Sequence, residues 1–389
     1  MSGFYAKGEN FDRLFINQQQ FADQFLGNQI YTWGAVNSGE LGSNAATARS
    51  SPGDVVAAAK SNSWNKLARS LGAIKTDGSL WVWGSNTTGR LGDGTTVNRS
   101  SPVTVAGGGV WVAASGGSTS MGIKNDGTLW CWGTGGTGAI GDNTTISKSS
   151  PVTTAGGGNN WTLVSTLSIN SVCAAKSDGT VWCWGLGSFG RLGNGTTTNK
   201  SSPSQTLHPI SNWRQIACAD VISFALSTDG TLWSWGYGGV NGQLGDGTTI
   251  NKSSPVTVLG GSNWKYVSAA TQSAAAIKTD GTLWTWGNNN SGNLGDGTTI
   301  NRSSPGTVAG GGTNWKIISG ITFCMAGIKT DGSLWTWGQG TNGQLGTGTT
   351  SNGRSSPATV IASAINNWIN VAGQTLQTGT NFMAIAQID

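Results

Sequence analysis

The sequence predicts an all-β fold: a seven-bladed β-propeller of four-stranded antiparallel blades, closed by N- and C-terminal strands that share one blade. Three observations predict it. First, a nine-residue stretch, Thr279-Asp280-Gly281-Thr282-Leu283-Trp284-Thr285-Trp286-Gly287, recurs along the chain. Its second Trp falls at Trp33, Trp83, Trp132, Trp184, Trp235, Trp286 and Trp337, at intervals of 49–52 residues, a period that marks propellers, solenoids or arrays. Second, the chain is rich in Gly, with 63, while Glu9 and Glu40 are its only glutamates; this composition suits turns and short strands rather than helices. Third, the chain enters the repeat at its third strand and leaves it after the second.

The first 28 residues differ from the rest. They contain Phe4, Phe11, Phe15, Phe21 and Phe25 and no Trp. Their spacing predicts a short helix over 15–27, with Leu14, Phe21 and Phe25 on one face and Gly27 at its end. Such a helix covers the propeller itself or, through Leu14, Phe15, Phe21 and Phe25, anchors it to another protein; disorder is the third reading. Residues 29–389 form the propeller.

Within each repeat, Asp-Gly between apolar runs is a hairpin signal, because Gly takes positive φ without a Cβ clash. Leu-Trp-Thr-Trp then alternates with period two, so both indoles point to one face. In the type repeat, strand A is expected at 264–268, B at 274–278, C at 283–286 and D at 304–308. Pro305 suits the start of an outer strand, since it cannot donate to a ladder. Each repeat adds an upstream Trp at Trp64, Trp111, Trp161, Trp213, Trp264, Trp315 and Trp368. With Tyr31 filling one place, these aromatic positions absorb all 20 Trp of the chain, so core packing between repeats is the expected role of each. A buried Trp hides roughly 150–250 Å², or ~4–6 kcal/mol gross at about 25 cal/mol per Å². At the ends, 368–371 and 382–386 read as strands A and B, and 30–33 as a strand C. Two half blades therefore complete one sheet and remove its exposed edges.

The string Gly242-Gln243-Leu244-Gly245-Asp246-Gly247-Thr248-Thr249, the Ser-Pro strand and the Asp-Gly-x-Leu-Trp-x-Trp-Gly ending resemble the repeat of the regulator of chromosome condensation family over residues 29–389. The resemblance implies a seven-bladed propeller closed by both termini. Members include a nucleotide exchange factor that docks on chromatin, a plant ultraviolet photoreceptor and a bacterial β-lactamase inhibitor. The family's Gly-x-x-His-Thr segment is absent here; Thr271-Gln272-Ser273 and Ile321-Thr322-Phe323 stand in its place. Neither light sensing nor exchange chemistry carries over to named residues. The near-identical repeats and short Phe-rich start are similar in style to repeat proteins carried by bacteriophages.

Catalytic motifs are missing. His208 is the single histidine and lies beside Pro209 in a turn, so a His-based triad and a zinc site are disfavoured, as is a Glu pair. No cofactor or metal is expected, and the chain is read as no enzyme. Net charge is +5 with no basic run, which argues against nucleic acid. No stretch is long and apolar enough for a membrane helix, and no signal peptide is seen. Cys131, Cys173, Cys183, Cys218 and Cys324 are expected as buried free thiols, with a disulfide framework as the other reading.

The A–B turns and C–D loops of a meander leave on one face. Phe189, Tyr237, Val240 and Phe323 stand out there among small polar residues, which suits protein recognition. A cation ends each C–D loop: Arg49, Arg99, Lys148, Lys200, Lys252, Arg302 and Arg354. Asp93, Asp142, Asp246 and Asp296, six residues earlier, are expected to pair with four of them, leaving Arg49, Lys200 and Arg354 freer for an anion or partner. The expected function is a protein-binding or structural propeller in a phage virion, with other virion proteins or a host surface component as partners. A secreted inhibitor or adhesin-like module, extracellular rather than virion-bound, and an exchange or chromatin-binding propeller are the rival readings.

Overall fold

In a computed structural model, residues 27–388 are described, apart from short breaks at 45–46, 56–62, 70, 167–169, 209–211, 351–352, 361–364, 366 and 377–378. The expected helix and the anchor candidates Leu14, Phe15, Phe21 and Phe25 lie outside the described residues. Gly27 opens a strand, pairing with Ile388.

Seven four-stranded antiparallel sheets are present. Blades I–VI begin at Trp64, Trp111, Trp161, Trp213, Trp264 and Trp315. In each, strands A to D follow one another in space as in sequence. Blade V has its strands at Trp264–Ala269, Ser273–Lys278, Leu283–Gly287 and Arg302–Thr307. Blade VII joins the two ends: Trp368–Leu376 and Gly379–Ile388 from the C-terminal side, Gly27–Gly34 and Arg49–Asp54 from the N-terminal side. The seam runs in unbroken register from Gly27↔Ile388 to Gly34↔Asn381. Tyr31 meets Trp368 edge-on at 5.4 Å, as an indole does elsewhere.

Strand D starts two residues earlier than the sequence suggests. Thr285 pairs with Gly306 and Gly287 with Arg302, so Ser303, Ser304 and Pro305 bulge opposite Trp286. Pro305 therefore sits in the bulge, where its missing N–H breaks no ladder bond.

The core lies between blades. The second Trp of every pair is buried, from 0% to 3% exposed. Trp286 packs with Trp264 against Phe224, Leu226, Leu232 and Leu244 of blade IV. Its Nε1–H donates to Gln243 O at 3.0 Å, in the preceding blade's loop. The same bond recurs around the ring, from Trp33 to Gln344 O, Trp83 to Glu40 O, Trp132 to Arg90 O, Trp184 to Ala139 O, Trp235 to Arg191 O and Trp337 to Asn293 O. A glycine two residues on forms the seat. A Cβ at Gly245 would lie 2.6 Å from the Trp286 Nε1. Each indole thus fixes one blade to the loop of the one before it.

The cysteines depart from expectation. Cys173 and Cys183 face each other across strands B and C of blade III and form a disulfide. Their Cα atoms are 4.2 Å apart, the close spacing of a directly opposed antiparallel pair. Cys131, Cys218 and Cys324 are free and buried as expected. Burial raises all three thiol pKa values, that of Cys218 to about 12.

Candidate recognition face

The two faces of the disc are built differently. On one, the B–C turns repeat a single device. The Asp280 carboxylate accepts from Thr282 N–H and Oγ1–H, and Thr282 Oγ1 accepts from Trp284 Nε1 at 2.9 Å. These bonds, side chain first, hold the Asp280 pKa below its ordinary value. Lys278 Nζ lies over both Trp264 and Trp284, 4.9 and 4.4 Å from the ring centroids. The same lysine clamp occurs at Lys75, Lys124, Lys176 and Lys329. In blade IV, Ser227 takes the lysine's place, and His208 packs edge-on between Trp213 and Trp233 at 4.6 and 4.2 Å. The lone histidine is thus an aromatic packing residue.

The opposite face carries the A–B turns and the C–D loops. The seven loop-ending cations occupy one register position there, each opposite the Gly that follows the second Trp, as in Gly287↔Arg302 and Gly185↔Lys200. Four are paired as the sequence suggests: Arg99 with Asp93 at 2.6 Å, Lys148 with Asp142 at 3.4 Å, Lys252 with Asp246 at 3.4 Å and Arg302 with Asp296 at 2.7 Å. At Asp93, desolvation works against ionisation, yet bonds from Thr95 and Arg99 lower its pKa. Arg49 turns back to Asp54 O at 3.3 Å. Lys200 and Arg354 make no ion pair among the described residues.

Phe189 and Tyr237 come from the loops of adjacent blades and pack with their rings tilted at 51°, centroids 4.8 Å apart. Phe189 is 43% exposed and has φ 64°, a region where a bulky side chain is strained. Arg191 supports it from beneath. Its guanidinium donates to Ser188 O, Ser188 Oγ and Asp220 O and lies 5.6 Å from the Phe189 ring. Burial lowers the Arg191 pKa, with Asp220 opposing. Val240, on the Tyr237 loop, is 85% exposed. The six other copies have Ser38, Thr88, Thr137, Asn241, Ser291 and Asn342 where Phe189 stands. One side of the face, over blades III and IV, therefore holds two aromatics, a valine and a buried guanidinium. Lys200 begins the outer strand of blade III. Phe323 is half-buried in blade VI, and Arg49 and Arg354 lie on blades VII and VI, so the structure does not gather them with the others.

Sequence comparison of the loops misses Arg191, because its column also contains Glu40, Arg90 and Gln243. A further apolar set was equally legible but scattered: Val97, Ile146, Ile250 and Ile300, each two residues before a loop cation, are 58–71% exposed.

A family model described as RCC1-like domain matches residues 29–385. The ultraviolet-B receptor UVR8 of Arabidopsis thaliana is 37% identical over 122 residues, covering 30% of this chain and 27% of that protein. The E3 ubiquitin-protein ligase HERC2 of Homo sapiens is 28% identical over 186 residues, covering 46% of this chain and 4% of that protein. The chain thus spans less than a third of each relative's length. Among solved structures, human WBSCR16 superposes with TM-score 0.78 at 19% identity, covering 92% of this chain and 98% of that one. Prp20p of Saccharomyces cerevisiae, in a study that names its binding to Gsp1p and histones, gives 0.78 at 18%, covering 93% and 92%. These likenesses establish the shared fold.

Proposed function

The chain belongs to the RCC1-like domain family, and from that premise we propose that it is a non-enzymatic propeller that binds protein through its loop face, as a component of a bacteriophage particle. The observation that carries the binding role is the Phe189–Tyr237 pair, with exposed Val240 on the Tyr237 loop. An exposed aromatic, Phe189, backed by half-buried Tyr237 and by Arg191, is of the kind that anchors protein interfaces. The Lys200 cation near the rim supplies a polar edge, as do Arg49 and Arg354 elsewhere on it; Phe323 adds a second, smaller apolar point. The virion role is supported by the Phe-rich extension, whose Leu14, Phe15, Phe21 and Phe25 would anchor the disc in the tail, neck or capsid, and by a surface of mainly neutral polar groups. Peptide mass spectrometry of purified particles tests it: the protein should co-purify at fixed stoichiometry, and its absence from particles removes the virion role. Cross-linking should then join the loop face to one partner.

The Prp20p likeness favours a second reading, exchange or chromatin binding. Nucleotide release from small GTPases incubated with the protein tests that reading; faster release supports it over the virion role. An inhibitor or adhesin-like module would instead behave as a monomer that captures one enzyme or receptor and needs none of residues 1–28.

A further inference from the structure

The innermost strand of every blade lines a central channel with a cavity of about 290 Å³. Its wall is polar. At the same position of strand A, Ser115, Ser165, Ser268 and Ser319 bond to the next blade: Ser268 Oγ accepts from Gly320 N–H, and Ser319 Oγ from Gly373 N–H. One residue further along, six blades have Gly116, Thr166, Cys218, Ala269, Gly320 and Gly373, while blade I has Arg69. Arg69 lines the channel. Its Nη2 spans the ring to Ala269 O at 2.5 Å and Gly320 O at 2.7 Å, on blades V and VI.

Arg69 has an electrostatic oddity. Among the described residues no carboxylate lines the cavity, while Lys66 does. The neighbours that act on the Arg69 charge are Tyr266 and Cys218, both neutral at ordinary pH. Desolvation lowers its pKa to about 10, so it remains a cation near neutrality. Its Nε is buried with no partner among the described residues. Arg69 is half-buried, and two carbonyls on Nη2 leave a cation that faces the channel with no opposite charge on its wall among the described residues.

We propose that the channel binds one small oxyanion, a carboxylate or a phosphate, between Arg69 and Lys66, with Ser and Tyr266 hydroxyls completing its shell. The cavity is at the small end of ligand sites, which start at about 300 Å³. With both Nη2 hydrogens given to the two carbonyls, Arg69 offers such an anion single charge-assisted bonds from Nη1 and its positive charge, and Lys66 offers a second cation. This site is independent of the loop-face patch.

Isothermal titration of the full chain in chloride buffer tests it, with inorganic phosphate and succinate as separate probes. Saturable one-to-one binding of at least one probe is expected, and the preferred probe tells the two sources apart. Arg69→Met should weaken binding by roughly tenfold or more, as loss of a charge-assisted bond does. Lys316→Met, at an exposed lysine outside the channel wall, should leave it unchanged. Absence of saturable binding by either probe overturns the site, as does equal loss in Lys316→Met. Should Arg69→Met fail to fold, Lys66→Met decides: Lys66 is exposed and reaches Val112 O at 3.3 Å, and unchanged affinity in that variant overturns the proposal.

Discussion

The turn face and the loop face of this disc share one scaffold and differ in what their sequences are free to do. On the turn face, Asp280, Thr282, Trp284 and Lys278 form one bonded unit, and copies of it recur from blade to blade. A change there disturbs packing. On the loop face, Arg191 O and Gln243 O take the bonds that tie blades together, while Phe189 and Val240 beside them project outward. The position of Phe189 is Ser, Thr or Asn in the other copies. The difference teaches that repetition in this chain marks stability, and departure from it marks candidate contact.

The largest effect expected from breaking this comparison lies where the two faces are tied together. Trp286→Ala removes an indole that fills the blade IV–V core and bonds to Gln243 O. A loss of about 3–5 kcal/mol is expected, read as a lower urea midpoint. Second is the turn face alone. Gly281 has φ 80°, and a Cβ there would lie 2.0 Å from Thr313 O. Gly281→Ala should cost ~2 kcal/mol or more, from left-handed strain and displaced backbone, measured by thermal or urea unfolding.

Acid should act next, and through both faces. The folded pKa values of Asp280, Asp331, Asp93 and Asp296 all lie below the ordinary 3.8. The stability they contribute is complete above that value and is lost as pH falls through the lower folded values. Urea midpoints should therefore stay level from pH 7 to about 5 and drop below about pH 4. A midpoint that rises on acidification contradicts the assignment.

The smallest stability effect is expected on the loop face. Phe189→Ser combined with Val240→Ser should shift unfolding by no more than about 0.5 kcal/mol while abolishing capture of the partner. If the pair proves as destabilising as Gly281→Ala, the division between the faces fails. Thiol titration sharpens the core side of the comparison. The native protein should present no reactive thiol, since Cys131, Cys218 and Cys324 are buried with raised pKa values. Unfolding without reductant should expose these three while Cys173 and Cys183 stay oxidised.

Much was legible in the residues alone. Spacing of Trp and the Asp-Gly signal set the blade number, the strands and the closure, because period-two burial and tight turns are local properties. The Asp–cation pairs were readable for the same reason, being six residues apart in one loop. The start of strand D, two residues before the Ser-Pro signal, is not legible in this way, because the bulge around Pro305 depends on pairing with the neighbouring strand.

Other features depend on neighbours far along the chain. Blade order puts Phe189 against Tyr237 although 48 residues separate them, and strand register makes Cys173 face Cys183 rather than Cys131. Ring closure alone carries Arg69 across to Ala269 and Gly320. The sequence by itself determined the repeating unit and how many copies there are, since those follow from local propensity and periodic burial. Tertiary structure decided which exceptions to the repeat meet one another, because contact between distant residues exists only once the circle is closed.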